Sequence, residues 1–377
     1  MLIPKKQSIL RLSLRKSSIY NHEAKITIFI HQLSIYFLVQ SNNSFAQEKI
    51  ELEEVQINAN TKLNNSIQYE KLKNMPESGV FSFGVTVEND KLYVMSGDVS
   101  NFGVRTKYKG FSNKIYIYDL ERDFWKTSKT KSSTIANNST ISHNGLLYSF
   151  GGRRFGNNRN RELLNNKIDV YDIKKDTVII DDIMAHQAVN FATVKVDDKV
   201  LFFGGSTKKH HNETKFFTNK VSMYNLTTGY WYEMDPMPEA KEAPGILVDN
   251  KVYLIGGNKN HSIKSIDSFN LNDGKWTKEF ELPTAMSRAS LAKKEHIIYI
   301  YEDGIFYTYD TYEKVLKEYA LNNIFAVKGE IFIYKDFMYI LGGVVDNKDL
   351  SNEMYRFSLS EFNNTKVKRE LKLKKVE

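Results

Sequence analysis

Six times along this chain a short, aromatic-rich apolar stretch runs into a pair of small or turn-forming residues. The copies lie at 92–97 (LYVMSG), 147–152 (LYSFGG), 201–205 (LFFGG), 252–257 (VYLIGG), 298–303 (IYIYED) and 338–343 (MYILGG). Their last residues are spaced 55, 53, 52, 46 and 40 apart. Self-similarity at this period limits the fold to an array of small units, because one such unit cannot bury its own apolar face.

Three further features keep phase with the glycines. Each apolar stretch follows a tight-turn pair such as Asn89-Asp90, Asn144-Gly145, Asp197-Asp198, Asp249-Asn250 or Lys335-Asp336, the chemistry of a two-residue hairpin. Each is followed by an aromatic-polar-aliphatic triplet: Tyr118-Asp119-Leu120, Tyr171-Asp172-Ile173, Tyr224-Asn225-Leu226 and Phe269-Asn270-Leu271, with weaker forms at Tyr309 and Phe357. Seven residues after the first four aromatics come Trp125, Val178, Trp231 and Trp276. Each unit therefore reads as four short antiparallel strands. Such sheets bury both faces by packing radially, which predicts an all-β, six-bladed propeller. The glycines allow close backbone approach between blades, and a Trp or Tyr fills the gap.

The Gly-Gly, Tyr-Asp and Trp register resembles the Kelch repeat, and six units cover residues 77–363. The fifth departs most, with Glu302-Asp303 in place of the glycines, a very short following loop and no Trp. Residues 69–76 match 231–238 at the aromatic and at Met-Pro, so they look like a fourth strand lacking its own first three. That strand is expected to complete the last blade and close the ring, removing sheet edges; residues 366–373 are the other candidate for the place. The expected organisation is a signal peptide at 1–46, a linker or extra strand at 47–64, the propeller at 65–363 and a basic carboxy-terminal tail at 364–377.

Charge sits at the two ends. The chain is +8 overall, yet 1–46 carries six basic side chains against one acid, and 364–377 carries six against two, leaving 47–363 at −1. A near-neutral body is no footprint for nucleic acid. Basic residues precede an apolar run at 26–39, followed by Ser44 and Ala46 at the spacing a signal peptidase reads, which predicts export with a cut after Ala46; an uncleaved anchor or an amphipathic helix are the alternatives. The protein is thus expected in the periplasm, secreted, or associated with the outer membrane, and the 366–375 run could associate with the envelope. With no Cys, disulfides, thiol catalysis, Cys-ligated metal and a lipoprotein anchor are excluded.

In four antiparallel strands, the loop between strands two and three opens on the same face as the segment joining one blade to the next. In blades one to four these loops are long, and together they carry +9. Their basic residues include Arg105, Arg153, Arg154, Lys208 and Lys259, with His261 nearby; Arg288 lies in the segment entering blade five. These seven are the candidate ligand contacts. A basic mouth on a central channel favours an acidic ligand, either a carboxylated glycan or an acidic peptide or protein, and guanidinium binds carboxylate bidentately. No metal site, phosphate-binding glycine loop or nucleophile motif stands out, and no cofactor is expected. The leading expectation is a binding or scaffold module of the cell envelope. The alternative is an enzyme, because sialate mutarotases and epimerases resemble this chain in size, export and six Kelch units; their channel residues find no residue-by-residue match here.

Overall fold

A computed structural model describes residues 62–372, except 78, 101–109, 158–160, 210–214, 325 and 346–348. The leader with its cut site, residues 47–61, the loop residue Arg105 and the last five residues lie outside the described residues. No helix among the described residues is long and apolar enough to cross a membrane.

The described chain is the expected six-bladed ring. The first blade pairs Gly84–Glu88, Lys91–Met95, Ile115–Asp119 and Phe124–Thr127 in order, each strand antiparallel to the last. Blades two, three and four repeat the pattern with first strands Ser139–His143, Ala192–Val196 and Gly245–Val248. Blade five begins at Ser290–Lys294 and blade six at Glu330–Tyr334. The second strand of each blade is its most buried; Leu92, Leu147, Phe202, Val252, Ile298 and Met338 are all essentially inaccessible.

The sequence register has local causes. At the first hairpin, Asn89 and Asp90 both take positive φ (47° and 57°), as a turn matching strand twist requires. The middle residue of the aromatic-polar-aliphatic triplet turns the next hairpin: Asp119 Oδ1 accepts the N–H groups of Glu121 and Arg122 at 3.2 and 3.0 Å. Asp172, Asn225 and Asp310 do the same in their own blades. The triplet aromatic then stacks across strands on the Trp, with Tyr118–Trp125, Tyr224–Trp231 and Phe269–Trp276 centroids 4.8, 4.9 and 5.0 Å apart. Trp276 also meets Phe203 of the preceding blade, and Trp125 Nε1 donates to Lys73 O of blade six. The Trp fills the gap between blades.

The paired glycines are held between two inter-blade segments. A Cβ on Gly256 would sit 2.6 Å from Met286 O in the segment leaving its blade, and one on Gly257 (φ +109°) 1.9 Å from Glu242 O in the segment arriving. Neither position tolerates a side chain.

The amino-terminal strand Glu70–Lys71 closes the ring, pairing with Met354–Ser358 so that Glu70 faces Arg356 and Lys71 faces Tyr355. Leu72 N–H continues the ladder to Met354 O at 2.9 Å. The carboxy-terminal segment corrects an expectation. It is not the closing strand of blade six: Arg369–Lys372 adds a fifth, exposed strand to the outer edge of blade five, pairing with Val315–Ala320. Glu318 on that edge, buried at 6% accessibility, binds the Lys368 and Arg369 side chains, and this charge pairing holds the basic segment down. Between the two features the short helix Glu361–Asn364 inserts Phe362 among Tyr299, Phe306, Tyr319 and Phe357.

Candidate functional site

The long loops of blades two and three are built rather than loose. Arg153–Phe155 pairs with Glu162–Leu164, and Ser206–Lys209 with Lys215–Phe217. Each blade's loop is also fastened to the segment arriving at that blade, by backbone bridges Phe81–Asp98, Ala136–Arg153, Val189–Ser206 and Glu242–Asn258 and by the Ala326–Val327 pairing with Val344–Val345. Loops and arriving segments therefore share one face of the ring. In blade five no long loop exists. There the Glu302 carboxylate takes over, accepting the Arg288 N–H at 3.0 Å and the Ser287 hydroxyl at 3.2 Å.

At the centre of this face lies a cavity of about 270 Å³ whose wall is layered by blade symmetry. The rim is the residue two before each first strand: Ser82, Asn137, Asn190, Ala243, Arg288 and Lys328. One layer deeper stands the first residue of each first strand: Gly84, Ser139, Ala192, Gly245, Ser290 and Glu330. The inner layer is small because six strands converge there; a Cβ on Gly84 would come within 2.0 Å of Thr140 Oγ1. Both layers carry their charge on blades five and six.

A hydrogen-bonded chain runs round the rim. Arg153 reaches Asp98 with Nη2 at 3.0 Å, Asn137 Oδ1 with Nε at 2.8 Å, and Glu162 with Nη1. Asn137 Nδ2 donates to Asn190 Oδ1 at 2.8 Å, which also accepts Arg288 Nη1 at 2.9 Å. Asn190 Nδ2 donates in turn to Glu242 Oε1 at 2.8 Å, where Ser206 Oγ (2.6 Å) and Lys215 Nζ (2.8 Å) also converge. Burial pushes the Glu242 carboxyl up, but Lys215, Arg288 and these hydrogen bonds outweigh it and hold it below its ordinary value. Lys328 Nζ lies 4.5 Å from the Phe81 ring centroid; burial, then the Arg288 charge, lowers it to about 8. Glu330 accepts from Ser290 Oγ at 2.7 Å, and burial raises it to about 7 against that bond.

The seven candidate residues fall into different situations. Arg288 lines the cavity. Arg153 reaches the rim through Asn137, with its guanidinium engaged by two carboxylates and 5.1 Å from the Phe111 centroid. Arg154, next along the strand, projects to the other side of its hairpin and is no part of the cavity lining. The Lys208 backbone pairs with Phe216. Lys259 pairs with Glu239, and His261 is exposed in the same turn, where its carbonyl accepts the Lys259 N–H. Arg105 lies outside the described residues. The +9 of the converging loops, in which Asp98 and Glu162 are already counted, is lowered further by Glu239 and Glu242 of the arriving segment, which pair with Lys259 and Lys215. Sequence reasoning missed Lys328, Glu330, Glu242, Asn137 and Asn190. The signal was available: aligned on their first strands, the arriving segments place Asn137, Asn190, Arg288 and Lys328 at one offset.

Comparison with known proteins agrees with this geometry. The family description "KLHDC2/KLHL20/DRC7 Kelch-repeats domain" matches residues 82–308, more than half of the chain. Kelch repeat and BTB domain-containing protein 2 of cowpox virus (strain Brighton Red) is 22% identical over 221 residues, 52% of this chain and 39% of that protein. Human Kelch repeat and BTB domain-containing protein 12 is 25% identical over 200 residues, 50% and 31% of the two chains. A Thlaspi arvense protein named N-(sulfonatooxy)prop-2-enimidothioate sulfolyase is 24% identical over 189 residues, 47% and 51%. The matched stretch spans between about a third and a half of these relatives' own length. Blade register, ring closure and family match agree: this chain belongs to the Kelch-repeat proteins.

Proposed function

We propose that this propeller is a binding module, exported to the cell envelope, whose axial pocket takes an acidic ligand, either a carboxylated glycan or an acidic stretch of a protein. Kelch propellers typically serve as protein-binding or scaffold modules, which favours binding over the isomerase alternative. One observation carries the ligand's sign. Arg288 and Lys328 stand on adjacent blades of a rim whose other four members are Ser82, Asn137, Asn190 and Ala243, all uncharged, while the acid Glu242 that also lines the cavity has both its oxygens taken by Lys215. A cation pair inside a concave, partly desolvated mouth attracts anions far more strongly than the same charges on an open surface.

The test is an array of acidic peptides and carboxylated glycans probed with full-length protein at low and high salt. Hits should weaken with salt, and Arg288→Ala or Lys328→Ala should cost each hit tenfold or more in affinity. Hits indifferent to both substitutions would overturn the reading. Export rests on the leader sequence; the first residue of protein recovered from the envelope fraction should be Gln47.

A further inference from the structure

We infer that the axial pocket selects an amphoteric ligand, whose anionic group meets Arg288 and Lys328 at the rim while an ammonium or hydroxyl group donates to Glu330 one layer below. The inference rests on the acidic-ligand reading of the same pocket and adds a second, inner anchor to it.

The argument begins with what the inner layer otherwise contains. Five of its six positions are Gly84, Ser139, Ala192, Gly245 and Ser290, small residues of the kind that convergence of the first strands requires. Glu330 is the sole acid in that layer. A carboxylate there gives no packing advantage, and it costs desolvation that a serine or alanine avoids. Other buried carboxylates have their acceptor capacity answered from within the protein, by cations at Glu279 (Lys251 and Lys314), Glu318 (Lys368 and Arg369) and Glu242 (Lys215), or by paired backbone and hydroxyl donors at Asp169 (Ser133) and Glu302 (Arg288 N–H and Ser287). The one side-chain partner of Glu330 among the described residues is a neutral hydroxyl, Ser290 Oγ on Oε2. A group kept in the wall of a cavity without a countercharge is placed for a donor that the protein does not supply.

Spacing fixes the ligand's form. Lys328 and Glu330 are two residues apart in the segment entering the pocket, so their Cα atoms lie no more than about 7 Å apart, and Arg288 precedes Ser290 by the same two residues on the adjoining blade. An anion at the rim and a donor at Glu330 are therefore separated by no more than roughly five bonds, which suits an ω-amino acid, an amino sugar acid or a zwitterionic residue of a peptide.

Matched probes decide it. Valerate carries the anion alone, and 5-aminovalerate carries the same anion with an ammonium at the required spacing. Titrated into the full chain by calorimetry or ligand-observed NMR, 5-aminovalerate should bind at least tenfold more tightly than valerate. Glu330→Gln, which keeps shape and removes charge, should bring the two probes within about threefold of each other, whereas Lys328→Ala should weaken both. Equal binding of the probes to the wild-type protein, or a preference that survives Glu330→Gln, overturns the inner anchor. If valerate is still weakened by Lys328→Ala in that case, the acidic-ligand reading stands without it. If neither probe binds, or neither responds to Lys328→Ala, both fall.

Discussion

Blades one to four and blade five solve the same problem by different means. In the former, a residue pair that includes positive-φ glycine lets the chain lie against the backbone of the segments on either side before a longer loop follows in sequence. In blade five the loop is reduced to Asp303 and Gly304, and the Glu302 side chain supplies the acceptor that loop backbone supplies elsewhere. Glycine register is therefore one way to hold an arriving segment, and a carboxylate is another. The carboxylate version holds the segment from which Arg288 lines the pocket.

This contrast can be tested by substitution. Gly257→Ala should be the most damaging, costing about 3 kcal/mol or more, because its Cβ would collide with Glu242 O at a φ of +109°; the same change at the matching blade-five residue, Asp303→Ala, should cost about 1 kcal/mol or less. Thermal melting of the two variants side by side measures the gap, and similar losses would mean that blade five depends on this position as heavily as its neighbours do. Glu302→Ala should follow at about 1–3 kcal/mol, since it strips the Arg288 N–H and the Ser287 hydroxyl of their acceptor. Glu302→Gln should recover most of that loss, and equal loss in both variants would show that the carboxylate's hydrogen bonds are not what matters.

A smaller effect is expected from pH. Burial raises Glu330 from 4.5 to about 7, so its contribution to stability is fully present below about pH 4.5 and is lost as pH rises through about 7. Glu330→Gln lacks that dependence. Its melting temperature should match the wild type near pH 4.5 and exceed it increasingly up to pH 8; a constant difference across this range would place Glu330 in a solvated setting. Smallest of all, Lys259→Ala breaks a solvent-facing pair with Glu239 and should shift stability by less than about 0.5 kcal/mol.

Most of the fold was legible because its determinants are local. A two-residue turn, an Asp that caps the next hairpin and a glycine at positive φ each act within a few residues and recur with a period. Ring closure was legible for the same reason, since Tyr69 and Met75-Pro76 copy the end of a blade. The fate of the carboxy-terminal segment was not: Arg369–Lys372 is exposed along its whole length, so no burial pattern marks it as a strand, and its attachment depends on Glu318, about fifty residues earlier. The site was only half legible. Charge counted along loops cannot register that Arg153 finds Asp98, 55 residues away, or that Lys215 finds Glu242, 27 residues away. Lys328 and Glu330 went unnoticed because a lysine and a glutamate beside a turn normally face solvent. Only the convergence of six strands puts them in a pocket.

The sixth sheet joins residues 286 positions apart, with Glu70 held by Arg356. During translation, the stretch around residue 70 leaves the ribosome long before its partner strand exists, so it must wait unpaired while five sheets assemble behind it. Completion of the circle is thus a late event in the life of the nascent chain. Until then two unsatisfied β-edges are open to other polypeptides, and a chaperone able to shield that early segment would protect the whole molecule.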